Sequence, residues 1–238
     1  MAARKLSSML VLCVVCGLGT QSLRAEERLF SIGLKGNFTT GSQLFPTPNS
    51  TDPFQRSQFF SIEDFFGTSV ELKYSFPESN LAIGLSADYI RTTASQSLRI
   101  SSTQSIPVDD GYRVIPVELT GYFQIPVSGP TFGVYMGGGG GVYFGRRIYR
   151  IGGVEAPAID EGHGFGIHVL GGLSYQFTEW FALNAEMKFR DLQFESTNRF
   201  SSSQIIYNGT IIRVSDAPFA SRVHTDGIVF QIGTVFRF

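Results

Sequence analysis

Segments of about ten residues alternate strictly between apolar and polar side chains, and very short turns and long polar stretches take turns in separating them. In 67–76 (GTSVELKYSF), Val70, Leu72, Tyr74 and Phe76 fall on one side and Ser69, Glu71, Lys73 and Ser75 on the other. The same pattern runs through Leu81, Ile83, Leu85, Ala87 and Tyr89, and through Phe181, Leu183, Ala185, Met187 and Phe189. Period two is the signature of β-strands with two chemically distinct faces. No run after the first 25 residues reaches the ~18 apolar residues of a membrane helix. The spacing predicts eight strands, near 28–38, 67–76, 81–92, 115–125, 131–145, 164–177, 181–194 and 227–238, with no composition shift to mark a second domain.

A soluble sandwich also alternates, but its loops are similar in length at both ends. Here tight turns (PESN, PVSGP, TEW) alternate with long segments such as 39–66 and 195–226, so the two ends of the sheet differ. Charged residues make up only 16% and aromatics 13%, with 22 Phe against one Trp. A segment of about 9–11 residues suffices for a tilted strand to cross a bilayer. A sheet there must close, because lipid leaves an open edge unsatisfied. The reading is an all-β, closed antiparallel transmembrane up-and-down β-barrel of eight strands, with short periplasmic turns and long extracellular loops.

The first 25 residues support export. Arg4 and Lys5 precede an apolar stretch from Met9 to Gly19, and Ala25 is a small residue at a cleavage position; a cut after Ser22 is an alternative. The domains are therefore expected as 1–25, a cleaved signal peptide, and 26–238, an outer-membrane barrel. Leu12 and Val15 precede the two cysteines, where a lipoprotein signal needs a small residue. Both cysteines leave with the leader, so no disulfide or zinc–thiolate site is expected. The remaining chain carries 16 basic against 20 acidic residues, which gives nucleic-acid binding no support.

The chain ends inside its last strand, at QIGTVFRF. Gln231, Gly233, Phe236 and Phe238 resemble the C-terminal assembly signal of bacterial outer-membrane barrels. The whole layout resembles the small eight-stranded superfamily that includes the OmpA membrane domain, OmpX and OmpW. That resemblance implies a Gram-negative outer-membrane location, insertion by the barrel-assembly machinery, and contact with outer-membrane lipids and lipopolysaccharide. Pro116 departs from the pattern, since it cannot donate to a ladder; the membrane part of the fourth strand is expected to start near Val117, with Pro116 at its outer end or in a bulge.

Short turns fix registers. A four-residue PESN turn pairs Phe76 with Leu81, Lys73 with Gly84 and Glu71 with Ser86. A Pro126–Thr131 turn would put Glu118 opposite Gly139 and Thr120 opposite Gly137. A TEW turn puts Glu186 opposite Gly172. The run GVYMGGGGGVYFG then belongs to the fifth strand, with Gly137, Gly139 and Gly141 pointing inward to leave room for Glu118 and its partners. It lacks the Gly-Lys-Ser/Thr and the helix of a phosphate loop. Asn208-Gly209 in IIYNGTIIRV is a two-residue hairpin signal. Extending its register places Phe189 opposite Ile228 and Leu183 opposite Thr234, one long hairpin that Pro218 interrupts.

The inward face carries Lys35, Glu71, Lys73, Asp88, Glu118, Glu186, Lys188, Arg190 and Arg237, five positive and four negative. Buried charges must pair, and an eight-stranded interior is only wide enough for side chains; a plugged polar lumen follows. His163 and His168 fall on opposite faces and cannot share a metal. No catalytic set, cofactor site or metal site is expected. Arg146, Arg147 and Arg150 cluster at the long-loop end as a lipopolysaccharide contact, since Arg suits phosphate. The expected role is that of a non-enzymatic barrel acting through surface loops, in adhesion or surface interaction, or as a structural membrane component. An OmpW-like conduit for small hydrophobic molecules is the alternative, and a lipid-modifying barrel enzyme a third.

Overall fold

The computed structural model describes residues 28–100, 104–126, 129, 131–225 and 227–238. The export leader read over 1–25 lies outside the described residues. The strands are β1 (Phe30–Phe45), β2 (Phe60–Ser75), β3 (Leu81–Arg99), β4 (Ser105–Gln124), β5 (Phe132–Ile151), β6 (Val154–Glu155), β7 (Ala158–Asp160), β8 (Gly162–Gln176), β9 (Phe181–Arg190), β10 (Leu192–Asn198), β11 (Gln204–Tyr207), β12 (Thr210–Arg213), β13 (Phe219–Thr225) and β14 (Ile228–Arg237); one short helix, α1 (Pro53–Ser57), follows β1. Only Asp191 separates β9 from β10, and β14 begins soon after β13 ends. Antiparallel pairing passes through β1, β2, β3, β4, β5, β8, β9 and β14, and β14 pairs again with β1. The result is an eight-strand ring.

Its two faces are inverted relative to a soluble protein. Ser69 and Glu71 are buried while Val70 and Leu72 are half exposed, and outward Phe165, Ile167 and Ile232 are each at least 70% exposed. Soluble monomers rarely show contiguous apolar surface on this scale. Aromatic side chains gather at the tight-turn end: Phe30 on Tyr74, Tyr74 on Phe76, Tyr175 on Phe177, and Trp180 against Phe181 and Phe236.

At the long-loop end the strands run much further than the apolar outward pattern. Residues 93–111, which fall between the strands expected near 81–92 and 115–125, are mostly strand, with β3 reaching Arg99 and β4 starting at Ser105. The reason is a reversal of amphipathicity. Beyond Tyr89 the outward positions become Arg91, Thr93 and Ser95, while the inner face turns apolar. Leu44, Ile62, Phe65, Ile90, Tyr112, Val114, Tyr143, Leu192, Phe194 and Val223 form one buried cluster there. A pattern search for apolar outward residues stops where the backbone ladder continues.

The registers around the PESN and TEW turns are as expected: Lys73↔Gly84, Glu71↔Ser86 and Glu186↔Gly172. So are Phe189↔Ile228 and Leu183↔Thr234. β10–β13 and the Tyr207↔Thr210 hairpin of β11–β12 keep that same register, and Pro218 stands in the unpaired stretch before β13. The β4–β5 register differs by two: Glu118 faces Gly141 and Thr120 faces Gly139. Ile125 N donates to Val134 O, so the connection is longer than Pro126–Thr131. An even shift preserves the facing of every side chain. Pro116 is not in a bulge. It lies inside β4 opposite Tyr143, and the β3–β4 pairing skips two positions there before resuming unshifted, from Ala87↔Val117 to Ile90↔Val114.

Candidate functional site

The ring directs its charged residues into two tiers. In the first, nearer the tight turns, Lys35 Nζ donates to Glu186 Oε1 and Oε2 (2.7 and 2.9 Å) and also pairs with Glu71. Tyr122 donates to Glu71 Oε1 (2.5 Å) and Tyr135 to Glu186 Oε1 (2.7 Å). Lys73 Nζ lies 3.4 Å from Glu71 Oε1 and 3.7 Å from the centre of the Tyr122 ring, a cation–π arrangement. In the second tier Glu118 accepts from Lys188 Nζ (2.8 Å) and lies 2.8 Å from Arg190 Nε. Arg190 also pairs with Asp88, and Thr120 Oγ1 is 2.9 Å from His168 Nε2.

Each tier joins two cations to two carboxylates, and all but Lys73 of these eight are buried as whole residues. Neutral, hydrogen-bonded groups are what a low-dielectric interior tolerates. The arrangement depends on missing side chains. A Cβ on Gly141 would strike the Glu118 side chain, and one on Gly172 would enter the Tyr135 ring. The inward glycines thus seat tyrosines as well as Glu118. Arg237, the ninth predicted member, stays apart at the turn end, where its Nη1 donates to Gln176 Oε1 (2.6 Å).

Two end cavities stop on opposite sides of this filling. At the turn end a polar cup of about 310 Å³ is lined by Arg28, Lys73, Tyr122, Tyr135, Gln176 and Arg237. At the other end a cavity of about 350 Å³ has apolar walls, including Leu44, Phe60, Ile62 and Leu98, with Asp110, Arg147 and Tyr149 beside them. Between that cavity and the charged tiers lies the apolar cluster built around Tyr112, Tyr143 and Phe194.

The predicted arginine cluster divides. Arg147 points inward, buried, with Nε and Nη2 on the Asp110 carboxylate (2.8 and 2.5 Å) and its guanidinium 4.6 Å from the Tyr149 ring centre. Its parity with inward Tyr143 carried that signal. Burial pushes the Tyr149 hydroxyl above its ordinary range; Arg147 pulls it back and Asp110 adds to the rise. Arg146 and Arg150 face outward and each meets a carboxylate, Glu161 at 3.2 Å and Glu155 at 2.9 Å. His163 lies outside and His168 inside; His224 meets Asp191 at 3.0 Å. Among the described residues no cluster of His, Cys, Asp and Glu could hold a metal. In the segment expected to carry an assembly signal, Gln231 Nε2 donates to Asn37 Oδ1 (2.8 Å), Gly233 faces Lys35, and Phe236 and Phe238 lie outward.

The crystal structure of the outer membrane protein OprG from Pseudomonas aeruginosa superposes with a TM-score of 0.58 at 13% identity, covering 88% of this chain and 95% of that one. The chain shares its fold with OprG. A major outer membrane protein of Thermus thermophilus gives a TM-score of 0.46 at 10% identity, covering 88% and 99%. Ail, the attachment invasion locus protein of Yersinia pestis, gives 0.45 at 12%, also covering 88% and 99%. No protein-family profile matches the chain, and no curated protein matches it.

Proposed function

We propose that this chain is a non-enzymatic outer-membrane β-barrel, closed, exported through the leader 1–25, with its lumen sealed by the two ion-pair tiers and its activity at the extracellular end. The tight turns then face the periplasm and the extended strands stand above the membrane. The observation that carries the reading is the pair of neutral tiers, Lys35–Glu71–Glu186–Lys73 and Asp88–Arg190–Glu118–Lys188, packed inside a ring whose outer face is apolar. An outer face of this kind suits outer-membrane lipids and lipopolysaccharide. Gln231, Gly233, Phe236 and Phe238 serve as the signal to the barrel-assembly machinery. Planar-bilayer recording tests the seal: the expected trace carries no large steady current, and porin-sized conductance overturns the reading. Phe238→Ala should lower the amount of folded barrel in the outer membrane.

A second reading, a conduit for small apolar molecules, draws on the apolar inner face above the tiers and on the skipped pairing beside Pro116. Uptake of a small apolar tracer into cells expressing the protein tests it, with passage expected to survive substitutions in the charged tiers.

A further inference from the structure

Register brings three arginines side by side on the outer face. Arg91 on β3 is directly opposite Arg113 on β4, and Arg113 is directly opposite Arg146 on β5. With strands about 4.8 Å apart, their Cα atoms span roughly 10 Å. Like charges directly opposite in a sheet repel, and acidic neighbours do little to relieve this row. Arg91 and Arg113 form no ion pair among the described residues. Arg146 meets Glu161, yet its Nε is buried without a hydrogen-bond partner. Beyond Arg91 the continued register brings Phe66, and Asp64, two residues further, makes no ion pair with it.

The height of the row says what it meets. One outward position below it stand Tyr89, Ile115 and Phe144, with Tyr89 and Phe144 about half exposed. Below those the outward residues are Ala87, Val117 and Val142, all apolar. The row therefore marks the level where an apolar band gives way to charge. At such a boundary a bilayer offers phosphate, and guanidinium groups hold phosphate by paired N–H donors.

We propose that Arg91, Arg113 and Arg146 form a clamp for the phosphate of an outer-leaflet glycolipid. The clamp rests on the membrane reading above. It replaces the Arg146–Arg147–Arg150 grouping, because Arg147 is turned inward.

The test uses full-length mature protein refolded in a neutral detergent and titrated with bis-phosphorylated lipid A, dephosphorylated lipid A, inorganic phosphate and a soluble sulfated polysaccharide. The unfolding midpoint should rise with the bis-phosphorylated form alone. Arg91→Gln with Arg113→Gln should weaken that binding by about tenfold or more, and Arg91→Lys with Arg113→Lys, which keeps charge but loses the fork, by an intermediate factor. Undiminished binding by the Gln variant overturns the clamp. Equal response to inorganic phosphate, or preference for the polysaccharide, overturns the lipid assignment. Insertion into vesicles, scored separately by protease protection, fails only if the membrane reading itself is wrong.

Discussion

Arg190 on β9 reaches Asp88 on β3, the strand diametrically across the ring, four steps away in either direction. On the way it passes Glu118, with Nε 2.8 Å from Oε1. One side chain thus ties opposite walls of the ring together.

Removing that cation should be expensive. Arg190→Met leaves Asp88 and Glu118 buried with only Lys188 to balance them. The expected loss is about 3–5 kcal/mol, read from denaturant unfolding in micelles. Adding Asp88→Leu should restore a large part of it, because replacing both partners by apolar groups removes the stranded charge. A single variant as stable as wild type would show that the tier is wetter than its geometry implies.

Gly139 and Gly171 separate the inner and outer requirements. A Cβ at Gly139 would run into the Leu119 carbonyl, whereas one at Gly171 meets nothing within 4 Å. Gly139→Ala should cost about 1–3 kcal/mol, and Gly171→Ala should leave stability within about 1 kcal/mol of wild type. The paired unfolding curves check both at once.

Phe194 discriminates between the two functional readings. It is 2% exposed, edge-on to Tyr112 at 6.0 Å, and fills the space that Gly145 leaves open. In a packed plug, Phe194→Ala should cost about 3–5 kcal/mol. In an open apolar passage the cost would be small and tracer flux would increase. Unfolding and uptake measured on the same variant decide.

Much of the ring was readable in the residues themselves. Val70, Leu72, Leu183 and Phe236 announce an outward apolar face, and the PESN, TEW and Asn208-Gly209 turns fix three registers because each turn leaves little freedom in length. The β4–β5 register was not readable, since Pro126 and Pro130 gave no hint of where pairing resumes. The strand extensions were hidden because Arg91, Arg113 and Arg146 end the outward apolar pattern at the point where Ile90, Val114 and Phe194 begin an inward one. The partners within the tiers could be narrowed by charge but not assigned, since contact between Lys35 and Glu186, or Arg190 and Asp88, depends on ring closure.

The outer hairpin should be dispensable for the ring. Asn198 faces Phe219, the last pair of β10 and β13. Replacing 199–218 by a direct Asn-Gly turn keeps that register; it takes Phe200 and Ile205 from the small cluster around Ala156, together with the Thr210 Oγ1–Gln104 Oε1 and Arg199 N–Pro157 O hydrogen bonds. The shortened protein should still fold in detergent, with strand content by circular dichroism reduced only by β11 and β12.

Because Phe189↔Ile228, Leu192↔Thr225 and Tyr207↔Thr210 all obey one register, the two arms of this hairpin behave like a telescope whose halves must slide together. A residue gained in one arm alone would turn every later side chain to the opposite face. Length variation among descendants of this chain should therefore occur as mirrored insertions and deletions about Asn208-Gly209, and a foreign peptide grafted at that tip would extend outward without disturbing the eight-strand ring.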